Sequence, residues 1–277
     1  MSTIFTDFFG STVMMDALLP SLLIAAVTAS MSVMVMAHRL SFLAVGVSHA
    51  TLAGLGLSVF LSLPLLPTAT ITAVVVALLL TPAHGKQGIS EDAGTGILFA
   101  GAMATGVILL STASKSEVDL FGLLFGNILT ISGSELDWLL LVGALIAGCM
   151  LFAARTWWLI AFDPGMAASS GLPVSMYRML LYGMVGLTVV MCVKLAGIVL
   201  TTGLLVLPAA CAWFWAHGLA SLWLYSLIFS ITGTFLGLIT SYAFDSPSGA
   251  TVVLTLCIIF ILSWGAAWLK KNVLKHA

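Results

Sequence analysis

The chain repeats apolar runs that are about as long as a membrane is thick. Crossing the hydrocarbon core takes roughly 20 consecutive apolar residues in a helix, and such runs follow one another here with only short polar breaks. Because a soluble core could not bury this much apolar surface, the pattern predicts an all-α polytopic membrane protein with about nine transmembrane helices. The predicted spans are approximately 17–36, 41–62, 66–82, 94–112, 137–154, 175–194, 196–215, 219–242 and 250–268.

Composition supports the same class. Hydrophobic residues make up 61% of the 277 residues and charged residues only 7%, against about 25% charged residues in a soluble domain. The four cysteines all lie inside apolar runs without a Cys-x-x-Cys spacing, which is typical of core residues rather than of disulfides or a metal site. We therefore expect a single transmembrane domain, 1–277, that is surrounded by the lipid bilayer and has no nucleic-acid partner.

Basic residues are distributed unequally between the two sides of the nine predicted spans. Of the nine lysines and arginines, only Lys115 and Lys194 fall on one side. The other side is cytoplasmic by the positive-inside bias, so the N-terminus is predicted outside and the C-terminus in the cytoplasm. Residues 1–16 are predicted to form an external interfacial segment. The basic residues on the cytoplasmic side are Arg39, Lys86, Arg155, Arg178, Lys270, Lys271 and Lys275.

The predicted outer side is acidic. A negatively charged face raises the local concentration of cations, although any single one of these acids is more simply explained as a solvated loop or cap residue. The acids are Asp7, Asp16, Glu117, Asp119, Glu135, Asp137 and Asp245.

One polar interruption, from Asp163 to Val174, has the marks of a short helix between two spans. Asp163 followed by Pro164 is typical of an N-cap and a first helical position. Gly171, followed by Leu172 and Pro173, is typical of a helix end. The charge bias places this helix in a cytoplasmic loop, 156–174.

His49 is the one histidine placed well inside a predicted span. An ionisable side chain at that depth usually faces a cavity or a partner, and neutral imidazole is a common ligand of transition metals. The alternative is an ordinary hydrogen bond between helices. The residues around His49 leave both interpretations open.

These segments resemble the permease subunits of ABC importers of the metal-ion (zinc and manganese) type. Asp163-Pro164, Ala167 and Gly171 are similar to that family's coupling helix, and the segment from 39 to 54 resembles its second-helix signature of an Arg followed by Ser-His-Ala and Gly. Further resemblances lie at 91–99, 124–129, 201–210 and 241–249, so the match extends over about residues 30 to 255.

The resemblance implies partners that the chain itself does not contain. No phosphate-binding loop is present, so an ABC ATPase subunit would be a separate chain that receives the coupling helix at Asp163, Pro164, Ala167 and Gly171. An external or periplasmic metal-binding protein would deliver the ion, and a second copy of the chain would complete the pathway in the bacterial cytoplasmic (inner) membrane. The chain would be a transporter subunit rather than an enzyme.

The resemblance also assigns site residues. His49 and Asp245 would lie on the metal pathway, with His49 as a ligand, and Glu91 and Asp92 would be a possible contact with the ATPase. Many family members have an Asp four residues before the pathway His, where this chain has Val45. Because His49 alone cannot hold a divalent ion, three explanations stay open. A second His49 could come from the dimer mate, or another helix could supply a ligand such as Asp245. Alternatively, the pathway binds the metal only weakly and the external protein provides the affinity.

The expected function is import of a divalent transition metal, with zinc preferred, then manganese or iron. No permanently bound cofactor is expected, because the metal ion is the cargo. The alternative is an ATP-independent metal channel or a secondary transporter, which would need carboxylates or broken helices inside the membrane.

Overall fold

The structure, a computed structural model, describes residues 7–81, 91–112, 125–126 and 133–276, with the side chains of residues 91, 92, 194 and 273–276 outside the description. A helical turn at 7–10 precedes the longer elements. The helices of the described residues are α1 (Thr12–Ala37), α2 (Ser41–Leu61), α3 (Leu65–Leu79), α4 (Glu91–Thr112), α5 (Gly133–Phe162), α6 (Pro164–Ser169), α7 (Val174–Trp213), α8 (Leu219–Phe244) and α9 (Ser248–His276).

Eight segments of the described chain are long and apolar enough to cross a membrane. Helix α7 contains two of them, Val174–Val193 and Leu195–Trp213. The remaining predicted span, 66–82, corresponds to α3, whose 15 residues extend about 22 Å at the helical rise of 1.5 Å per residue, less than the hydrocarbon thickness of about 30 Å. The all-α polytopic class is confirmed, and each predicted span overlaps one of these segments.

Several helix boundaries differ from the prediction, among them those of α1 and α5. The loop predicted at 156–174 begins only at Asp163, because α5 continues to Phe162 and its fully buried Trp157 keeps that end packed. At the other terminus α1 begins at Thr12 rather than near 17. Of the predicted external segment 1–16, the first six residues lie outside the described part, and Phe8 packs edge-on against Tyr242 with ring centroids 5.8 Å apart.

Small residues hold the helices close together. A Cβ placed on Gly54 of α2 would lie 2.9 Å from the Ala69 Cα of α3, and one on Gly237 of α8 would lie 2.5 Å from the Val252 Cα of α9. Apolar side chains gain little from leaving lipid for a neighbouring helix, so van der Waals contact at such positions supplies much of the association energy. The glycine pattern of the sequence therefore has its role in packing.

Helix α7 contains a break at which the chain reverses direction. Gly197 has φ 72° and ψ 176°, a conformation that glycine adopts without a side-chain clash. Before the break, the Tyr177 carbonyl accepts from the Trp157 indole N–H. The main-chain carbonyl of Trp157 in turn accepts from His38, at the end of α1. After the break, the Ala209 amide donates to Ser32 on the last turns of the same α1 helix. The predicted spans 175–194 and 196–215 are thus joined by a tight turn at Gly197.

We call the end of the bundle with the α1–α2 turn and α6 the α6 end, and the opposite end the Gly197 end. At the Gly197 end the backbones meet directly. A Cβ on Gly126 would lie 2.5 Å from the Gly197 amide nitrogen, and one on Gly249 would lie 2.7 Å from the Ala196 Cα. Three separate segments therefore pack main chain against main chain at this end.

Pro208 lies within α7 and cannot donate a backbone hydrogen bond. The Ser32 hydroxyl of α1 lies beside it, accepting from the Ala209 amide at 3.1 Å and lying 3.4 Å from the Val206 carbonyl oxygen, to which it donates. A side chain of a neighbouring helix thus serves backbone groups around the proline, as membrane helices with internal prolines require.

Candidate metal pathway and coupling helix

Helix α2, which carries His49, is pressed against α4. A Cβ on Gly46 would lie 2.5 Å from the Thr95 Cγ2, and one on Gly56 would lie 2.8 Å from the Gly106 carbonyl oxygen. These two contacts lie one turn before and two turns after His49. The position of the histidine along the bundle is therefore fixed by close helix packing on both sides.

The ring of His49 is oriented by its own helix. Its Nδ1 lies 3.0 Å from the Val45 carbonyl oxygen and 3.3 Å from the Ser48 Oγ, and the ring meets Phe99 of α4 edge-on at 4.9 Å. A carbonyl oxygen can only accept, so Nδ1 carries the hydrogen of the neutral ring and Nε2 keeps a lone pair. A backbone carbonyl that fixes the tautomer in this way is the usual support of a metal-binding histidine.

One chain does not supply a complete metal site among its described residues. No group of three or more His, Cys, Asp or Glu side chains is close enough to hold an ion. Val45, one turn before His49, lines an apolar cavity of about 510 Å³ between α2, α7 and α9. Phe42 of α2 and Val253 of α9 lie in the same lining.

Asp245 lies at the Gly197 end. It is the C-cap of α8, with φ 48° and ψ 48°, and its side chain is exposed. It lines a cavity of about 480 Å³ together with Asp7 and Tyr242, and the Ser241 hydroxyl closes the turn by donating to the Ser246 carbonyl at 2.6 Å. His49 is not among the lining residues, so the structure brings Asp245 together with Asp7 rather than with His49.

Asp7 is the residue at this cavity that sequence reasoning missed. Its acidity was the only signal, and no spacing in the sequence relates residue 7 to residue 245. Asp7 and Asp245 line the same cavity because the turn at 7–10 folds onto the end of α8, where Phe8 is fully buried and packs against Tyr242.

The short helix predicted after Asp163 is present as α6. Asp163 is its N-cap, and Oδ1 accepts from the Met166 amide at 2.8 Å, with Pro164 at the first helical position. The chain leaves the helix through Gly171, whose φ is 81°. Ala167 is fully buried and fixes one face of the helix to the bundle.

The opposite face of α6 is open. Asp163, Pro164 and Gly171 are exposed, and Met166 exposes 53% of its surface. Glu91 and Asp92 begin α4, where carboxylates favour the helix N-terminus, but the placement of their side chains lies outside the described residues.

Comparisons with known proteins agree with this architecture. A family model described as the ABC 3 transport family matches residues 11–266. The chain is 32% identical over 264 residues to the manganese import system permease protein ScaB of Streptococcus parasanguinis, covering 95% of this chain and 93% of that protein. It is 28% identical over 260 residues to the manganese transport system membrane protein MntC of Halalkalibacterium halodurans, covering 94% and 89%.

A solved structure has the same fold. PsaBC from Streptococcus pneumoniae in complex with Fab matches with a TM-score of 0.85 at 28% sequence identity, covering 95% of both chains. The family match spans most of the chain, including α2 with His49 and the whole of α6. The chain therefore belongs to the ABC 3 transport family, as a metal-importer permease subunit and a multi-pass protein of the bacterial inner membrane.

Proposed function

We propose that the chain is the membrane subunit of an ATP-driven importer that moves a divalent transition metal, manganese first, into the cytoplasm. The observation that carries this proposal is His49, a ring with a fixed tautomer on a tightly packed helix of a metal-importer permease fold. The ion is the transported substrate, and no resident cofactor is proposed.

The choice of manganese follows from the relatives. Both curated relatives above are named for manganese, so the sequence-based preference for zinc is not supported. Manganese commonly takes oxygen ligands, including carbonyls and water, beside imidazole nitrogen. Imidazole nitrogen combined with oxygen ligands from solvent or backbone suits an ion that must be released again.

The missing ligands are assigned to a second copy of the chain. With no three-ligand group among the described residues, a single His49 cannot hold a divalent ion, and a two-fold axis would bring a second His49 to the same ion. Val45 then makes this pathway less charged than one with the usual Asp, which favours weak binding and fast release. Tight capture would fall to the external metal-binding protein.

The remaining assignments follow the same arrangement. The α6 end faces the cytoplasm, and the exposed face of α6 at Asp163, Pro164 and Gly171 binds a separate ABC ATPase subunit, with Glu91 and Asp92 as a further contact. Asp245 at the Gly197 end, beside Asp7, lies on the metal pathway at the side of the external binding protein. The whole chain, 1–277, acts as one transmembrane domain.

The test is uptake of Mn²⁺ and Zn²⁺ by a strain lacking this gene, complemented with wild type, His49→Ala, Val45→Asp or the control His217→Ala, which changes an exposed histidine. We expect uptake to return with wild type and the control and to stay at background with His49→Ala. Full uptake by His49→Ala would remove the histidine from the pathway. Uptake by the purified chain in liposomes without ATP would favour the channel or secondary transporter instead.

A further inference from the structure

We propose that His38 and Trp157 are positioning residues that transmit movement of α6 to α2, the helix that carries His49. This inference rests on the proposed function, because it concerns how an ATPase bound at α6 would act on the metal pathway. It begins from two hydrogen bonds that meet at one fully buried tryptophan.

The first bond joins the two helices on either side of α6. The Trp157 Nε1–H of α5 donates to the Tyr177 carbonyl in the first turn of α7 at 2.7 Å, and the Trp157 side chain is fully buried. Helix α6 continues from α5 through the Asp163 amide, which donates to the Leu159 carbonyl at 3.1 Å. A force on α6 therefore acts on the ends of α5 and α7 together.

The second bond connects this unit to the α1–α2 turn. The His38 Nε2–H donates to the Trp157 carbonyl at 2.9 Å. In an α-helix that carbonyl already accepts from the amide four residues later, so α5 does not need His38 in order to form. The bond to His38 instead ties α5 to a different part of the chain.

The turn that carries His38 passes a displacement on to α2. Its backbone is tightly defined, with the Leu40 amide donating to the Val35 carbonyl at 2.8 Å and Arg39 at φ 58°. Helix α2 begins two residues later at Ser41. His49 lies eight residues after Ser41, about 12 Å along the axis of α2.

The surroundings of His38 keep its ring in the form that makes this bond. Burial lowers the pKa of His38 below its usual value, the bond to Trp157 raises it, and the nearby Arg178 lowers it further. The ring is therefore neutral at pH 7, and because a carbonyl can only accept, its hydrogen is on Nε2.

The experiment uses the complex of the permease with its ATPase subunit in liposomes, measuring Mn²⁺ moved and ATP hydrolysed. The variants are His38→Ala, which removes the donor, His38→Gln, which restores an N–H at similar reach, and Trp157→Phe, which removes the indole N–H. The control is His217→Ala, at an exposed loop position.

We expect His38→Ala and Trp157→Phe to bind the ATPase and hydrolyse ATP within about twofold of wild type, while Mn²⁺ moved per ATP falls about fivefold or more, the lower end of usual coupling factors. His38→Gln should recover most of the ratio, and the control should not change it. An unchanged ratio in His38→Ala would overturn the proposal, as would loss of the assembled complex, which would show that the bond is purely structural. Wild type that binds ATPase but moves no metal would instead refute the proposed function, and this inference with it.

Discussion

The N-cap of α6 offers a local and quantitative test of the coupling helix. Asp163 Oδ1 accepts from the Met166 amide at 2.8 Å, and α6 has only six residues, far below the roughly 12–15 at which isolated helices become even marginal. Replacing an N-cap with alanine costs about 1 kcal/mol. A free-energy change of 1.4 kcal/mol changes an equilibrium constant tenfold. Asp163→Ala should therefore reduce the ratio of folded to frayed α6 about fivefold.

The assay is the affinity of the purified permease for its ATPase subunit, with amide hydrogen exchange at Met166 as the local measurement. Asp163→Ala should weaken binding by up to about fivefold and speed exchange at Met166, while the thermal midpoint of the bundle stays close to wild type because α6 lies at its edge. Asp163→Asn keeps the acceptor and loses only the charge, which is worth about 0.3–1 kcal/mol at a helix N-terminus, so it should lie between the two.

Two results would refute this prediction, one for the N-cap and one for the docking role of α6. If exchange at Met166 is unchanged in Asp163→Ala, the cap does not hold the helix. If exchange rises but ATPase affinity does not change, α6 is held by the cap but is not the docking element.

Three further predictions concern packing and protonation. Gly106→Ala would place a Cβ 2.6 Å from backbone atoms of α2 and should lower the unfolding free energy, measured by denaturant titration, by about 1–3 kcal/mol. The control Gly101→Ala has open space around its Cβ and should not lower it. Equal effects of the two substitutions would contradict the close contact at Gly106. Ser32→Ala should cost about 0.5–1.5 kcal/mol, because the hydrogen bond from the Ala209 amide to the Ser32 hydroxyl is lost, and an unchanged midpoint would show that this bond does not stabilise the bundle. Burial lowers the pKa of His38, so the unfolded chain binds more protons than the folded chain just below about pH 6.5. The thermal midpoint should therefore fall as pH drops through that range. His38→Gln should weaken this dependence of the midpoint on pH, and an identical dependence would exclude His38 as its source.

Much of the site's local chemistry could be predicted from sequence. The N-cap at Asp163 and the helix end at Gly171 depend on residues within one or two turns, and the structure has both. The depth of His49 in its span depends only on run length. The metal could not be predicted in this way, because a single His suits several ions and the described residues contain no group of three or more His, Cys, Asp or Glu that could select one of them.

The sequence by itself determined the number and order of the apolar helices, since burial in lipid acts on runs of about 20 residues, and it determined the capped helix between the spans, since caps act over three or four residues. Only the tertiary structure decided which distant groups meet. Asp7 joins Asp245 at one cavity, and the His38 ring meets the Trp157 carbonyl 119 positions away. Such pairs depend on helix packing fixed by glycines and on the register of whole helices, neither of which leaves a local pattern in the chain.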